Sequence, residues 1–504
     1  MNDSMQSRKN QALALLRSNH LTEAKLLYSA ICQEIPRDAD SWNFLAAAHG
    51  MLGEFREAEA CCRKVIFLRP DAVGTYNNLG NALKFQGKIK EAEECYREAL
   101  RLMPEYAEAH NNLGNLLKDQ GQHHQAESCY RQAITCAPNY ADAHSNLGII
   151  QRDQGKLEEA ITNYRHALQI DPNHRDAQYN LGHALCEQGE YAASMAVYEQ
   201  LTRLCPQDIR SWSALCMMYD QLGEHDKAIA SGRQAIERGH DNADAHFTLG
   251  SVWHHLGQRD KAKEMYERAL TLDPNMTKAR YFLSRLNDKT APAKPPAQYI
   301  IELFDELAHR FDRHLVGQLG YQAPELLHKA VTQMLGDKGK DLTILDLGCG
   351  TGLAGAPFRN IAKHLSGVDL SPKMIQKARE RKIYDELIVG DLLMPLRGSD
   401  PRYDLIIAAD VFIYIGDLSE VFAACQITLR PGGLFAFSTE SEEITESYVL
   451  RSTERYAHSP SYIQTLATTS GFMVAGIEKL ILRHESGKPV EGRLFFLQKP
   501  LHTN

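Results

Sequence analysis

Apolar and polar positions alternate with a helical period through the first half of the chain, and the whole pattern recurs every 34 residues. Prolines mark this period most clearly. They are Pro36, Pro70, Pro104, Pro138, Pro172, Pro206 and Pro274. Each unit predicts two amphipathic helices, because a glycine follows the first apolar stretch and the proline ends the second. We therefore expect eight helix pairs over residues 5–275 and a capping helix over 276–288.

The pattern changes at residues 289–298, whose sequence KTAPAKPPAQ favours neither helix nor strand. Helical periodicity returns after this stretch and then gives way to short apolar runs typical of buried strands. The predicted organisation is a repeat array over 1–288, a proline-rich linker over 289–298 and a second domain over 299–504.

A glycine-rich turn follows the first strong strand of the second domain, Leu342–Leu347. The turn glycines are Gly348, Gly350 and Gly352. Such glycines allow the backbone to approach a nucleotide at a helix N-terminus. Together with Gly355 the turn also fits the spacing of dinucleotide-binding enzymes, and Asp369 lies where those enzymes hold a ribose. These residues alone leave NAD as an alternative ligand.

The remaining motifs favour a different cofactor. The segment DLGCGTG, which begins at Asp346, resembles the first motif of class I S-adenosylmethionine-dependent methyltransferases. The segments VDLS, LIVGDL, YDLIIAADVFIYI and LRPGGLFAFSTE follow in that family's order. The stretches GFMVAGIEKLILRHESG and GRLFFLQKP resemble the paired last strands that distinguish this fold from the dinucleotide-binding one. Over about residues 299–500 the resemblance implies an α/β, Rossmann-like methyltransferase domain with S-adenosyl-L-methionine as its cofactor.

The resemblance also implies which residues contact the methyl donor. In the family the second strand ends in an acidic residue that binds the ribose, the third is followed by one at the adenine, and the fourth by one near the methionine end. The donor-binding residues predicted in this way are Asp346, Gly348, Gly350, Gly352, Asp369, Leu370, Asp391, Leu392 and Asp410. Asp346 is expected to orient the methionine amine, with capping of local backbone as the alternative. Phe311 and Asp312 are expected in a helix that closes over the donor.

Residues 441–471 combine aromatic and cationic side chains, which suit a carboxylate or an acidic peptide. The predicted acceptor-binding residues are Tyr448, Arg455, Tyr456 and Tyr462. A general base is needed only if the acceptor arrives protonated. His458 is the candidate catalytic base, and a structural role is the alternative.

The 34-residue units resemble tetratricopeptide repeats, which stack into an all-α superhelix with a concave groove. One asparagine precedes the repeated leucine in four consecutive units. These residues are Asn78, Asn112, Asn146 and Asn180. A carboxamide both donates and accepts hydrogen bonds, and a similar ladder in O-linked N-acetylglucosamine transferase holds peptide backbone. The sequence thus predicts a protein or peptide partner in the groove, with nearby Lys84 favouring acidic groups. Shared descent of duplicated repeats is the alternative explanation.

Composition and charge argue against several other classes of protein. A net charge of -8 argues against a nucleic-acid-binding protein. The sequence has no apolar run of the roughly 18 residues that a membrane span requires, and it lacks the pattern of a secretory signal. The 11 cysteines form no CxxC pair, so we expect buried thiols in a cytoplasmic protein, without disulfides or a metal site.

The sequence therefore predicts a methyltransferase whose repeats recruit a peptide or protein. The alternatives are a methyltransferase for small carboxylates whose repeats serve assembly, and a non-catalytic adaptor that binds the donor.

Overall fold

The computed structural model divides the chain into two compact units, Met1–Pro206 and Gln207–Asn504. It describes residues 2–287, 294–308, 311–312, 315, 320–336, 339–397, 400, 402–443, 447–451, 453–485 and 488–501. Half of the predicted linker, residues 289–293, lies outside these described residues. No helix in the described ranges is both long and apolar enough to cross a membrane.

The first unit consists of six consecutive helix pairs. Its helices are α1 Asn2–Arg17, α2 Leu21–Glu34, α3 Ala39–Met51, α4 Phe55–Leu68, α5 Val73–Phe85, α6 Ile89–Leu102, α7 Ala107–Asp119, α8 His123–Cys136, α9 Ala141–Asp153, α10 Leu157–Ile170, α11 Arg175–Gln188 and α12 Tyr191–Leu204. Glycine sets the spacing within a pair: a Cβ on Gly80 of α5 would lie 2.6 Å from the Tyr96 ring of α6. Gly87 ends the first helix of that pair at φ +76, a conformation that glycine adopts without strain.

The second unit begins with two further helix pairs and the predicted capping helix. These are α13 Ile209–Gln221, α14 His225–Arg238, α15 Ala243–His255, α16 Arg259–Leu272 and the cap α17 Thr277–Asn287. Buried Leu249, Trp253 and Tyr266 form a small core, and Phe282 of α17 packs against it. The described residues thus contain eight helix pairs, and α17 follows the last of them.

The rest of the second unit is a mixed sheet between helices. Its strands are β1 Leu342–Leu347, β2 Ala362–Asp369, β3 Glu386–Val389, β4 Tyr403–Ala408, β5 Leu429–Ser441, β6 Tyr448–Leu450, β7 Tyr456–His458, β8 Met473–Glu485 and β9 Lys488–Gln498. Its helices are α18 Ala297–Leu307, α19 Ala323–Leu335, α20 Gly355–Phe358, α21 Pro372–Glu380, α22 Ser419–Thr428 and α23 Pro460–Thr469.

The first five strands are parallel in the order β3-β2-β1-β4-β5. Strand β9 runs antiparallel to β5, and β8 runs antiparallel to β9. These are the paired last strands that the sequence predicted, so the class I methyltransferase fold is confirmed. Strand β7 also pairs with the end of β5 and carries β6 beside it, a short hairpin that the sequence analysis did not predict.

Alternating side chains of β5 fill two cores. Phe435 and Phe437 point into one core with residues of α22 and α23, whereas Leu434 and Ala436 point into the other with residues of α19. Successive residues of a strand face opposite sides of the sheet, so both faces are covered by apolar packing. A sheet buried in this way holds its carboxyl-terminal strand ends in fixed positions.

Candidate functional site

A cavity of about 370 Å³ lies at the carboxyl-terminal ends of β1 to β4. Its size is in the range of small-molecule sites. Each of the four strands leads into lining residues, which are Gly348, Gly350, Asp369, Leu370, Asp391, Leu392, Asp410 and Val411. Strand β1 lies between β2 and β4, so the cavity occupies the position where the strand order reverses, the usual ligand site of such sheets.

The glycine turn after β1 is held by the end of β2. Gly348 has φ +65, and a Cβ there would lie 2.6 Å from Val411, so a side chain would collide with the cavity wall. The amide N–H of Gly350 donates a 2.9 Å hydrogen bond to Oδ2 of Asp369. The turn and the carboxylate therefore form one rigid corner of the cavity.

Asp369 also accepts a 2.9 Å hydrogen bond on Oδ1 from the amide of Ser371. Burial raises the pKa of this carboxyl to about 6, while the two amides act in the opposite direction. The group is mainly ionised at pH 7. Each carboxylate oxygen has more than one lone pair, so both can accept a further hydrogen bond from a ligand hydroxyl.

Asp346 and Gly352, the last glycine of the turn, lie on the buried side of the turn and are absent from the described cavity lining. Asp346 is fully buried, and the hydroxyl of Tyr384 donates a 2.6 Å hydrogen bond to its Oδ2. Its Oδ1 has no hydrogen-bond partner among the described residues, and burial raises the pKa to about 7. A Cβ on Gly352 would lie 3.0 Å from the same tyrosine. Both residues support the turn from its buried side.

Asp410 is fixed by residues from two later strands. Its backbone has φ +56, and its Oδ1 accepts a 3.0 Å hydrogen bond from Oγ of Ser438. Its Oδ2 lies 3.0 Å from the guanidinium of Arg483, which also binds Glu440. Arg483 was not predicted from the sequence, although an arginine directly after the apolar residues LIL of β8 is a usable signal.

Helix α18 contributes Ile300 and Phe304 to the cavity wall. Its Asp305 accepts hydrogen bonds from Oγ of Ser371 and, at 3.2 Å, from the amide of Lys373. These contacts attach α18 to the start of α21, directly after Asp369.

The two residues predicted to cover the donor also lie at the turn. Phe311 lines the cavity. Asp312 accepts hydrogen bonds from Thr351 and Arg381. Asp312 is thus attached to the glycine turn itself through Thr351.

Of the four predicted acceptor-binding residues, the described lining includes Arg455 alone. The other three, Tyr448, Tyr456 and Tyr462, pack into an aromatic cluster with one another and with His458. In this cluster the Tyr462 hydroxyl accepts a 3.1 Å hydrogen bond from the amide of Leu418. The structure does not bring these three tyrosines to the cavity wall.

His458 is 1% exposed and is absent from the described cavity lining. Its Nε2 donates a 3.0 Å hydrogen bond to the carbonyl of Gly416, and burial lowers its pKa to about 4. The position and the low basicity match the structural alternative for this residue, so we assign it no catalytic step.

Tyr414, which the sequence analysis did not single out, also lines the cavity. It belongs to the short helical turn Phe412–Tyr414 after β4, and its ring lies 5.1 Å from that of Phe304. The wall near Arg455 therefore combines aromatic rings with a guanidinium.

The asparagine ladder borders a second cavity, of about 470 Å³, within the first unit. Its wall includes Asn78 and Asn112 together with Asn81 and Asn115, which the sequence analysis missed. The latter two accept hydrogen bonds from the hydroxyls of Tyr96 and Tyr130, at 2.7 and 2.8 Å. This pairing fixes each amide, with its NH₂ group as a further donor.

The later members of the ladder, Asn146 and Asn180, are absent from this described wall. Asn146 donates a 2.9 Å hydrogen bond to Asn111, as Asn112 does to Asn77. Lys84 lines the cavity but forms a 2.7 Å ion pair with Asp119, which weakens the expected preference for acidic ligands.

Comparison with known families gives matches in both halves of the chain. Residues 345–437 match the family described as the methyltransferase domain. Tetratricopeptide-repeat families match residues 41–64, 71–139, 105–173, 151–216 and 243–276.

Several similar proteins are methyltransferases. The ubiquinone biosynthesis O-methyltransferase of Bradyrhizobium sp. (strain ORS 278) is 27% identical over 29% of this chain and 61% of that protein. The malonyl-(acyl-carrier protein) O-methyltransferase of Serratia marcescens is 32% identical over 24% of this chain and 48% of that protein. Methyltransferase-like protein 27 of Homo sapiens is 29% identical over 32% of this chain and 67% of that protein. The chain thus spans less than two thirds of the first two relatives.

Proposed function

We propose that this chain, which combines tetratricopeptide repeats with a methyltransferase domain, transfers the methyl group of S-adenosyl-L-methionine to an acceptor recruited by its repeats. The observation that carries the proposal is the cavity at the strand ends, where Asp369, Asp391 and Asp410 lie at the carboxyl-terminal ends of the parallel strands β2, β3 and β4. A glycine turn beside three carboxylates suits a ligand with a ribose, an adenine amine and an amino acid end.

The residues at these strand ends fit S-adenosyl-L-methionine. This sulfonium compound supplies an electrophilic methyl group, and the remainder of the molecule is a neutral thioether. Asp369 would accept hydrogen bonds from the ribose hydroxyls, because its oxygens are held in place by Gly350 and Ser371. Asp391 would accept from the adenine amine, with Leu392 against the ring. Asp410 would face the methionine end, where Arg483 holds its carboxylate in place.

Apolar side chains on one side of the cavity would exclude water from the reaction. Ile300, Phe304 and Phe311 line the cavity on the side of α18, and the carboxylate of Asp305 attaches that helix to α21. An apolar cover strengthens the polar contacts beneath it and holds the acceptor in line with the methyl group. The chain supplies positioning, and an acceptor that arrives as an anion needs no general base.

The repeats would recruit the acceptor through the cavity that Asn78 and Asn112 border. Amide side chains bind peptide backbone whatever the side chains of the peptide are. The name of the Serratia marcescens relative describes an acceptor carried on a protein, which is consistent with a protein-borne substrate here. The proposed organisation is a repeat array over 1–288, a linker over 289–298 and a catalytic domain over 299–504, although the last two linker residues already belong to helix α18.

A second candidate is a methyltransferase for small molecules, with repeats that serve assembly. It is favoured by the name of the Bradyrhizobium relative, which describes a biosynthetic O-methyltransferase. A non-catalytic adaptor is less favoured, because the glycine turn and all three acidic strand ends are present.

The test is to incubate the full chain with methyl-labelled S-adenosyl-L-methionine and a bacterial extract, and to separate labelled protein from labelled small molecules. We expect labelled protein. The double variant Asn78→Ala/Asn112→Ala should lose this label while its affinity for the donor is unchanged. Asn173→Ala, an exposed asparagine between α10 and α11, is the control. Label confined to small molecules would support the second candidate, and absence of any label would support the adaptor.

A further inference from the structure

The cavity has a cationic side that donor binding does not use. Among the described residues, two guanidinium groups line the cavity, those of Arg455 and Arg483. Arg483 binds Asp410, which is predicted to contact the donor, so this residue belongs to the donor side. Arg455 forms a hydrogen bond with the hydroxyl of Tyr414. A guanidinium presents five N–H donors, so it can bind Tyr414 and a carboxylate at the same time.

The order of the strands separates this cation from the donor residues. The sequence of strand ends across the sheet is Asp391 after β3, Asp369 after β2, Asp410 after β4 and Arg455 directly before β7. Strand β7 pairs with the carboxyl-terminal end of β5, beyond β4. Arg455 is thus on the side of the cavity remote from the predicted adenine and ribose contacts, where an acceptor has to lie.

The surroundings of Arg455 favour a strong bond to an anion. Phe304 and Tyr414 form an edge-to-face pair at 5.1 Å, and buried Ile300 lines the same wall. A charge-assisted hydrogen bond is stronger where apolar side chains reduce the local dielectric. The aromatic rings also provide a surface for an apolar body next to the anionic group.

The position of Arg455 depends on the capping helix of the repeats. The preceding residue, Glu454, has φ +63, a left-handed conformation that is unfavourable for a residue other than glycine. Its carboxylate forms an ion pair with Arg285 of α17. Within the turn, the amide of Arg451 donates a 2.9 Å hydrogen bond to the carbonyl of Arg455. The ion pair therefore stabilises the backbone that directs Arg455 into the cavity.

We infer that Arg455 anchors a carboxylate group of the methyl acceptor, and that Arg285 of the capping helix positions this anchor through Glu454. The inference rests on the proposed function and specifies its substrate class as carboxylate-bearing acceptors. Arg455 is a binding residue in this scheme, and Arg285 is a positioning residue.

The test compares matched acids and amides on the full chain saturated with S-adenosylhomocysteine. The probes are phenylacetate against phenylacetamide and hexanoate against hexanamide, with affinities measured by calorimetry. We expect each acid to bind at least about tenfold more tightly than its amide, because the acid forms a charge-assisted hydrogen bond with Arg455. Arg455→Gln should reduce this ratio to below about threefold without a change in S-adenosylhomocysteine affinity. Lys479→Gln, which removes an exposed cation of β8, should keep the preference.

Equal binding of acid and amide, including no binding of either, would overturn the inference, as would a preference that survives Arg455→Gln. Neither result would affect the proposed function if S-adenosylhomocysteine still binds. Failure of S-adenosylhomocysteine to bind would contradict the proposed function itself, and the inference with it.

The role of Arg285 has its own test. Arg285→Gln should weaken binding of the acids while binding of the amides and of S-adenosylhomocysteine is unchanged, and Arg285→Lys should restore the preference. A loss of S-adenosylhomocysteine affinity equal to the loss of acid affinity would show a general structural role and overturn the positioning role. An unchanged preference in Arg285→Gln would overturn it as well.

Discussion

Asp369 shows how one side chain can connect two parts of a binding site. Its carboxylate accepts hydrogen bonds from main-chain amides of the glycine turn and of the start of α21. In Asp369→Asn the side-chain NH₂ would face one of these N–H groups, so we expect a loss of about 1–3 kcal/mol in S-adenosylhomocysteine affinity by calorimetry. Asp385→Asn is the matched control, because Asp385 also accepts a main-chain amide, at 2.8 Å, but is absent from the described cavity lining. Equal losses in both variants would contradict the assignment.

The raised pKa of Asp346 predicts that the stability of the folded chain depends on pH. Burial raises its pKa in the folded chain to about 7, above the value near 4 of an unfolded aspartate. Its contribution to stability is therefore complete below about pH 4 and is lost as the pH rises through 7. Between pH 5 and pH 7 this amounts to about 2 kcal/mol. Asp346→Asn should remove that part of the dependence, measured by hydrogen exchange of β1 amides after correction for intrinsic rates. An unchanged slope would show that the carboxyl titrates normally.

At the scale of the helix pair, close packing depends on glycine. A Cβ on Gly80 would lie 2.6 Å from the buried ring of Tyr96, whereas a Cβ on Gly50 in α3 would have no neighbour within 4 Å. We expect Gly80→Ala to destabilise the first unit by about 1–3 kcal/mol through overpacking. Gly50→Ala should be neutral or stabilising by up to about 1 kcal/mol, because alanine favours helix. Thermal unfolding followed by circular dichroism distinguishes them, and similar shifts in both variants would argue against the packing role.

The carboxylate of Asp305 joins helix α18 to the start of α21, beside the donor site. Asp305→Ala should release this end of the helix and raise the dissociation rate of S-adenosyl-L-methionine about tenfold, the equivalent of roughly one to two lost hydrogen bonds. The neighbouring exposed residue provides the control, Glu306→Ala. Stopped-flow measurement of donor release gives the rates, and an unchanged rate in Asp305→Ala would show that α18 does not retain the donor.

For the whole molecule, the position of the donor cavity predicts where ligand stabilises the chain. All described residues that line this cavity belong to the unit Gln207–Asn504. At a ligand concentration of about 100 times Kd, binding stabilises the native site by roughly 2.7 kcal/mol. Hydrogen exchange with S-adenosylhomocysteine should therefore show slower exchange in β1, β2 and β4 and no change in α3 to α8. Protection that appears equally in the first unit would contradict this localisation.

The sequence by itself determined the elements and their order. The 34-residue period predicted eight helix pairs, because proline, glycine and periodic apolar positions act on the backbone within a few residues of themselves. Strand β1 was predicted at Leu342–Leu347, and the glycine turn was predicted directly after it. The paired strands β8 and β9 came from the resemblance to methyltransferases, and the structure has them.

Only the tertiary structure decided which side chains reach the cavities. Arg483 meets Asp410 across 73 positions of the chain, and no local pattern encodes such a contact. Arg455 and His458 are three residues apart, yet Arg455 lines the cavity and His458 is buried among aromatic rings. Burial of a side chain depends on what distant elements pack against it, whereas helix and strand formation depends mainly on nearby residues. For this reason the fold could be predicted in detail, while the acceptor side of the site required the packed structure.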